Sequence, residues 1–114
     1  MSRSESLASA VCQPCQGNTP SLSATAIERY ASELPQWRVV DEGRRLRREV
    51  VVRDFTTALE YLGRLGILAE QEGHHPDLHL TKYRHVAIEL WTHKAGGLTE
   101  NDFIMAAKID QIRM

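Results

Sequence analysis

The chain has 114 residues, 25% of them charged, and a formal net charge of -1 at pH 7. That length makes one small domain, marginal in the surface it can bury alone, so self-association would help it. The near-neutral charge gives no general attraction for phosphate backbones and sets nucleic-acid binding aside. No run approaches the ~18 apolar residues of a membrane span, and residues 1–10 lack the apolar stretch of a secretion signal, so a soluble cytoplasmic protein is expected.

Residues 1–20, rich in Ser, Gln and small side chains and ending at Pro20, read as a flexible N-terminal arm ahead of a domain over 21–114. Both cysteines fall in it as Cys12-Gln-Pro-Cys15. With no strand before them and no second ligand pair, redox or metal use of the pair is disfavoured. Ser23 is placed to N-cap a short helix from about Ala24 to Leu34, with Ile27, Tyr30 and Leu34 on one stripe and Pro35 as its stop. Trp37 to Val40, a turn at Asp41-Glu42-Gly43 and Arg45 to Val52 predict a β-hairpin, with Gly43 supplying positive φ.

Asp54 caps the longest predicted helix, about Phe55 to Glu72, which Gly73 ends. Its apolar residues Phe55, Ala58, Leu59, Tyr61, Leu62, Leu65, Leu68 and Ala69 span more than the ~100° stripe that one contact needs, which leaves a face for a partner. Gly63 and Gly66 each cost ~1 kcal/mol relative to alanine, a cost that fits the close approach of another backbone. Leu78 to Lys82 and Val86 to Trp91 predict a second hairpin, in which Val86, Ile88 and Leu90 alternate with Ala87, Glu89 and Trp91. A two-residue turn at Tyr83-Arg84 pairs Lys82 with His85, and the same register, extended, sets His74 opposite His93. A one-residue slip would turn every side chain to the other face. Thr99 then opens the last helix through a Thr-x-x-Asp capping box ending at Asp102, with Phe103, Ile104, Ala107 and Ile109 as its apolar contacts.

Chemistry concentrates between Glu70 and Asp102, where Glu70-x-x-x-His74-His75-Pro76 is followed by Tyr83, His93 and Asp102. An imidazole with an unperturbed pKa of ~6.5 both gives and takes protons near neutrality, so this constellation points to acid–base work. Adjacent loop histidines are by themselves more often surface residues than catalysts. A zinc site from His74 or His75 with His79 and His93 is a lesser alternative, because neighbouring strand side chains point apart. His79 and His85 suit solvent-facing structural roles.

These residues, with Thr92-His93, Gly97-Leu98-Thr99-Glu100, Trp37 ahead of the first hairpin and Asp54-Phe55 at the long helix, resemble the pterin-4a-carbinolamine dehydratase family from about Leu22 to Ile112. The resemblance implies an α+β fold of order α-β-β-α-β-β-α, a four-stranded antiparallel sheet with helices packed on one face, and a homodimer or homotetramer. It implies dehydration of a 4a-hydroxytetrahydropterin to the quinonoid dihydropterin in tetrahydropterin recycling for aromatic amino-acid hydroxylation. His74, His75 and His93 match the catalytic histidines, with His74 and His93 as acid and base and His75 binding and polarising the pterin. Trp37, Glu70, Pro76, Thr92, Lys94 and Asp102 are the implied substrate-binding residues. No metal or bound organic cofactor is required, since the pterin is the substrate. Asn101 replaces an arginine of some animal members, and one extra residue separates Pro76 from Tyr83 relative to them. The alternative is a non-catalytic binding protein of the same fold, a RuBisCO assembly factor or a transcriptional dimerisation cofactor; the histidine set favours the enzyme.

Overall fold

In the computed structural model, which describes residues 7–10 and 21–113, two hairpins meet along their inner strands to form one sheet. Helix α1, Ala24–Ala31, begins where Ser23 Oγ accepts the Ala26 N–H at 3.2 Å. It stops before the predicted Leu34, and turns through Ser32 and Glu33 carry Leu34 into the core. Strands β1, Arg38–Val40, and β2, Arg45–Val51, flank a turn in which Asp41, Glu42 and Gly43 all have positive φ. Helix α2, Phe55–Glu72, has the predicted limits. Asp54 Oδ1 accepts the Thr57 N–H at 2.8 Å, and its hydrogen bonds to Thr57 hold this carboxyl below the usual carboxylate range. Gly73 closes the helix at φ 64°, a conformation a side chain resists.

Strands β3, Asp77–Thr81, and β4, His85–Leu90, follow; then comes a 3₁₀ turn, His93–Ala95, and helix α3, Glu100–Asp110. The strand order is β1-β2-β4-β3, with every neighbouring pair antiparallel. Leu46, Val50, Val86, Ile88 and Leu90 line the inner face and are buried. Helix α3 packs against β4 and α2, and Phe103 stacks on Tyr30 of α1 with ring centroids 5.0 Å apart. Asn101 through Ala107 and Ile109 of α3 are all buried, so this helix is a central element and not a one-sided one. The outer face of the sheet carries ion pairs among Arg45, Arg47, Glu49, Asp77 and Glu89.

The second hairpin corrects the expected register by one residue. Thr81, not Lys82, pairs with His85 across a three-residue turn, Lys82 to Arg84, in which Lys82 and Tyr83 have φ of 48° and 54°. This register sets Leu78 opposite Ile88 and Leu80 opposite Val86, apolar against apolar. The expected one would have set Leu80, which packs against the core, opposite Ala87 and turned it to the outer face, so apolar pairing outweighed turn length. Of the N-terminal arm, residues 7–10 are described, and Leu7 and Ala8 are buried against the core. Cys12 and Cys15 lie outside the described residues. Among the described residues no helix is long and apolar enough to cross a membrane.

Candidate active site

The left-handed turn at Gly73 lets the chain leave α2 so that His74 and His75, although adjacent, take different partners. The His74 side chain is 11% exposed, and its Nε2 lies 2.6 Å from Oδ1 of Asp102, which is 0% exposed. Asp102 sits at the third position of the capping box that starts α3. Its Oδ2 accepts the Thr99 backbone N–H at 2.9 Å and the Thr92 hydroxyl at 2.8 Å. Because Thr92 spends its only hydroxyl proton on Asp102, the Thr99 hydroxyl is the donor in the 2.9 Å contact between the two threonines. Both carboxylate oxygens therefore act as acceptors, and the helix N-terminus further favours negative charge there.

This network fixes a tautomer. His74 Nε2 faces a carboxylate and carries the proton, which leaves Nδ1 of the neutral ring as the lone-pair nitrogen. Thr92 also closes the loop that follows β4: its N–H donates to Gly97 O at 3.1 Å, and the 3₁₀ turn with His93 and Lys94 lies between. His93 is exposed, and its ring packs on Trp91 with centroids 3.8 Å apart. Lys94 is exposed on the same turn.

His75 bonds Glu70 instead, Nε2 to Oε1 at 2.8 Å, with side chains 63% and 79% exposed. It borders a surface groove of ≈630 Å³ lined by Gly63, Gly66, Ile67, Pro76 and Leu78. A hollow of ≈750 Å³ between α1 and the β1–β2 turn has no histidine in its lining. The expected register pairing of His74 with His93 does not form, since β3 begins only at Asp77; beyond the β3–β4 ladder, the bond of Thr92 to the Asp102 that holds His74 is one link between the two histidine-bearing segments.

Trp37 is not part of this group. It is 5% exposed, and its Nε1 donates to Asp110 Oδ1 at 2.8 Å. Asp110 lies at the other end of α3 from Asp102, about 12 Å along the axis. Trp37 is an indole with a buried polar handle and needs a carboxylate there; it walls the far end of the core and not the histidine pocket. Three residues of the site escaped the sequence reading: Thr99 as a donor, Trp91 as the support of His93, and Arg45, whose guanidinium carbon lies 4.3 Å from the Trp91 ring centroid. Only Thr99 left a signal, as the first residue of the capping box. Among the described residues no group of three His, Cys, Asp or Glu side chains is placed to hold a metal ion.

Comparison with known proteins supplies context for this geometry. The family model described as pterin 4 alpha carbinolamine dehydratase matches residues 20–112. A protein of Azoarcus sp. (strain BH72), provisionally named pterin-4-alpha-carbinolamine dehydratase, is 48% identical over 101 residues, covering 89% of this chain and 86% of its own. A protein of Chlorobium limicola with the same provisional name is 52% identical, covering 85% of this chain and 87% of its own. The crystal structure of a transcriptional coactivator/pterin dehydratase from Brucella melitensis superposes with a TM-score of 0.74 at 30% identity, covering 79% of this chain and 95% of that one.

Proposed function

The chain belongs to the pterin-4a-carbinolamine dehydratase family, and on that premise we propose that it removes water from a 4a-hydroxytetrahydropterin to give the quinonoid dihydropterin. In this step the C4a–O bond breaks as the leaving hydroxyl takes a proton. The N5 lone pair forms the C4a=N5 double bond, and the N5 proton passes to a base. One proton is given and one taken, so the site needs an acid and a base but no redox group.

The observation that carries this reading is the buried Asp102, held by Thr92 and Thr99 and bonded to His74. His74 Nδ1 is the base: the imidazolium it forms meets a carboxylate already in place, with no rearrangement needed during the reaction. His93 is the acid, because an exposed imidazole regains its proton from solvent after each turnover. His75 and Glu70, at the groove edge beside Pro76, bind and polarise the pterin, and Lys94 and Thr92 border the same loop. The test is a direct assay of carbinolamine dehydration. His74→Ala and His93→Ala should each cut turnover ~10²-fold or more with the fold retained. Near-normal turnover in both would leave a binding protein of the same fold as the better reading.

We further infer that the protein self-associates through α2. Phe55, Leu59 and Ile67 are 50%, 49% and 63% exposed on it, and a Cβ added at Gly63 or Gly66 would meet nothing within 4 Å. The space these glycines leave is thus open to another molecule. Leu68, by contrast, packs against the subunit's own core. Ile67→Glu should reduce the mass seen by light scattering to that of a monomer; wild-type protein already monomeric at micromolar concentration would end this inference.

A further inference from the structure

The histidines come from two chain segments at the open end of the second hairpin, one leaving α2 and entering β3, the other leaving β4. The register that sets Leu46 opposite Leu90 carries Arg45 to the position across from Trp91, on the outer face of the sheet. There Arg45 Nη1 lies 3.2 Å from Asp77 Oδ2 and 3.2 Å from Glu89 Oε1, and its Nε lies 3.5 Å from Asp41 Oδ2. The guanidinium carbon stands 4.3 Å from the centroid of Trp91, whose ring supports His93 at 3.8 Å. Asp77 follows His74-His75-Pro76 directly, and Trp91 precedes Thr92-His93 directly.

We propose that Arg45 is a positioning residue for the histidine site: one guanidinium ties the start of β3 to the indole that supports His93, and so sets the two halves of the site relative to each other. The chemistry suits arginine in particular. A planar, delocalised cation can pair its edge with carboxylates while its face lies on an aromatic ring, whereas an ammonium group offers no such face. The side chain is 27% exposed, and ion pairs this open contribute little to global stability, so its effect belongs in the geometry of His93 more than in the melting temperature.

The kinetic part of this proposal rests on the dehydratase reading; the structural part does not. The experiment uses the full chain with Arg45→Leu and Arg45→Lys. The first observable is the set of His93 ring resonances, assigned by their loss in His93→Gln. These resonances carry the ring current of Trp91 in the wild type and should move toward ordinary histidine positions in both variants, since lysine keeps the charge but not the planar face. The second is turnover per folded molecule, expected to fall ~10-fold with KM changed less than about twofold, as misplacement of a proton-transfer group requires. Should Arg45→Leu not fold, Arg45→Lys carries the test. Unmoved His93 resonances in a folded variant would overturn the clasp, as would unchanged turnover beside an active wild type. A wild type without dehydratase turnover would overturn the functional reading alone, and the resonances would still decide on Arg45.

Discussion

Helix α3 carries one aspartate near each end, Asp102 fully buried and Asp110 half-buried, and the two are used differently. Asp102, at the N-terminal end, is fully enclosed, accepts from two threonines, and meets an imidazole. Asp110, at the C-terminal end, accepts from Trp37 and from Arg48 Nη1 at 2.6 Å. Burial pushes the Asp110 carboxyl above its ordinary value, against the lowering pull of Trp37 and Arg48, and the last turn of a helix is itself unfavourable for negative charge. A guanidinium does not give up its proton, so Asp110 fastens β2 and Trp37 to the helix and can do little else. An imidazole does exchange its proton, so Asp102 serves a group that can change state. The two carboxylates differ in enclosure, but what separates a structural role from a reactive one is the partner's capacity to exchange a proton.

The contrast is most sharply tested by Asp102→Asn. The amide can offer only one oxygen: kept toward Thr92 and Thr99, it places its NH₂ against His74 Nε2, moves the ring proton to Nδ1 and removes the lone pair assigned to the base. Turnover should fall ~10²-fold or more with the fold retained, and preserved turnover in the dehydration assay would break the comparison. At the other end, Arg48→Met leaves Asp110 without its cation. It should cost roughly 2–3 kcal/mol in chemical denaturation, below the value for a fully enclosed pair because the side chains are 12% and 24% exposed. Turnover per folded molecule should not change. A large loss of turnover there would show that the two ends are coupled.

Acid titration gives a smaller effect and opposite signs. The Asp110 carboxyl is raised in the fold, so as pH falls through that raised value toward the ordinary one the folded state takes up its proton first and gains stability. The Asp54 carboxyl is lowered, so its contribution is complete above the ordinary carboxylate value and is lost as pH falls through the lowered one. Thermal melts of Asp110→Asn should lack the acid-side gain, and those of Asp54→Asn should lack the acid-side loss. Parallel curves for both variants and the wild type would contradict the assigned directions.

Legibility in the sequence followed the strength of local signals. Helix α2 was readable to the residue because Asp54 and Gly73 mark both ends. The β3–β4 register was not, since the turn holds no glycine or asparagine and the choice depends on which strand neighbours Leu78 and Leu80 meet and on the core that Leu80 packs against. Glu70, His74, His75, His93 and Asp102 stand out in the sequence by their spacing, and the structure pairs His74 with Asp102 and His75 with Glu70. That His74 would bond Asp102, with Thr92 and Thr99 beneath, depends on how α3 docks, and no periodicity carries that information. Trp37, a substrate-binding residue by the family resemblance, lies in the core against Asp110, since an aromatic residue before a strand suits a pocket and a core equally well. Leu7 and Ala8 looked like part of a polar arm because burial of so short an apolar pair depends on a surface made by the rest of the chain.

The turn from Lys82 to Arg84 has a consequence for the order of folding. Lysine and tyrosine at φ of 48° and 54° each hold a conformation that costs a side-chain-bearing residue ~1 kcal/mol or more, so this loop opposes the hairpin it closes. A loop of that kind does not nucleate. The expected order is that the hairpin forms after β4 has found β2 and α3, with the turn completed on the far side of the folding barrier. Relieving it with Lys82→Asn and Tyr83→Gly should therefore slow unfolding by about the full gain in stability while leaving the refolding rate nearly unchanged. A stopped-flow chevron whose refolding arm rises instead would show that the turn is already built when the chain crosses the barrier.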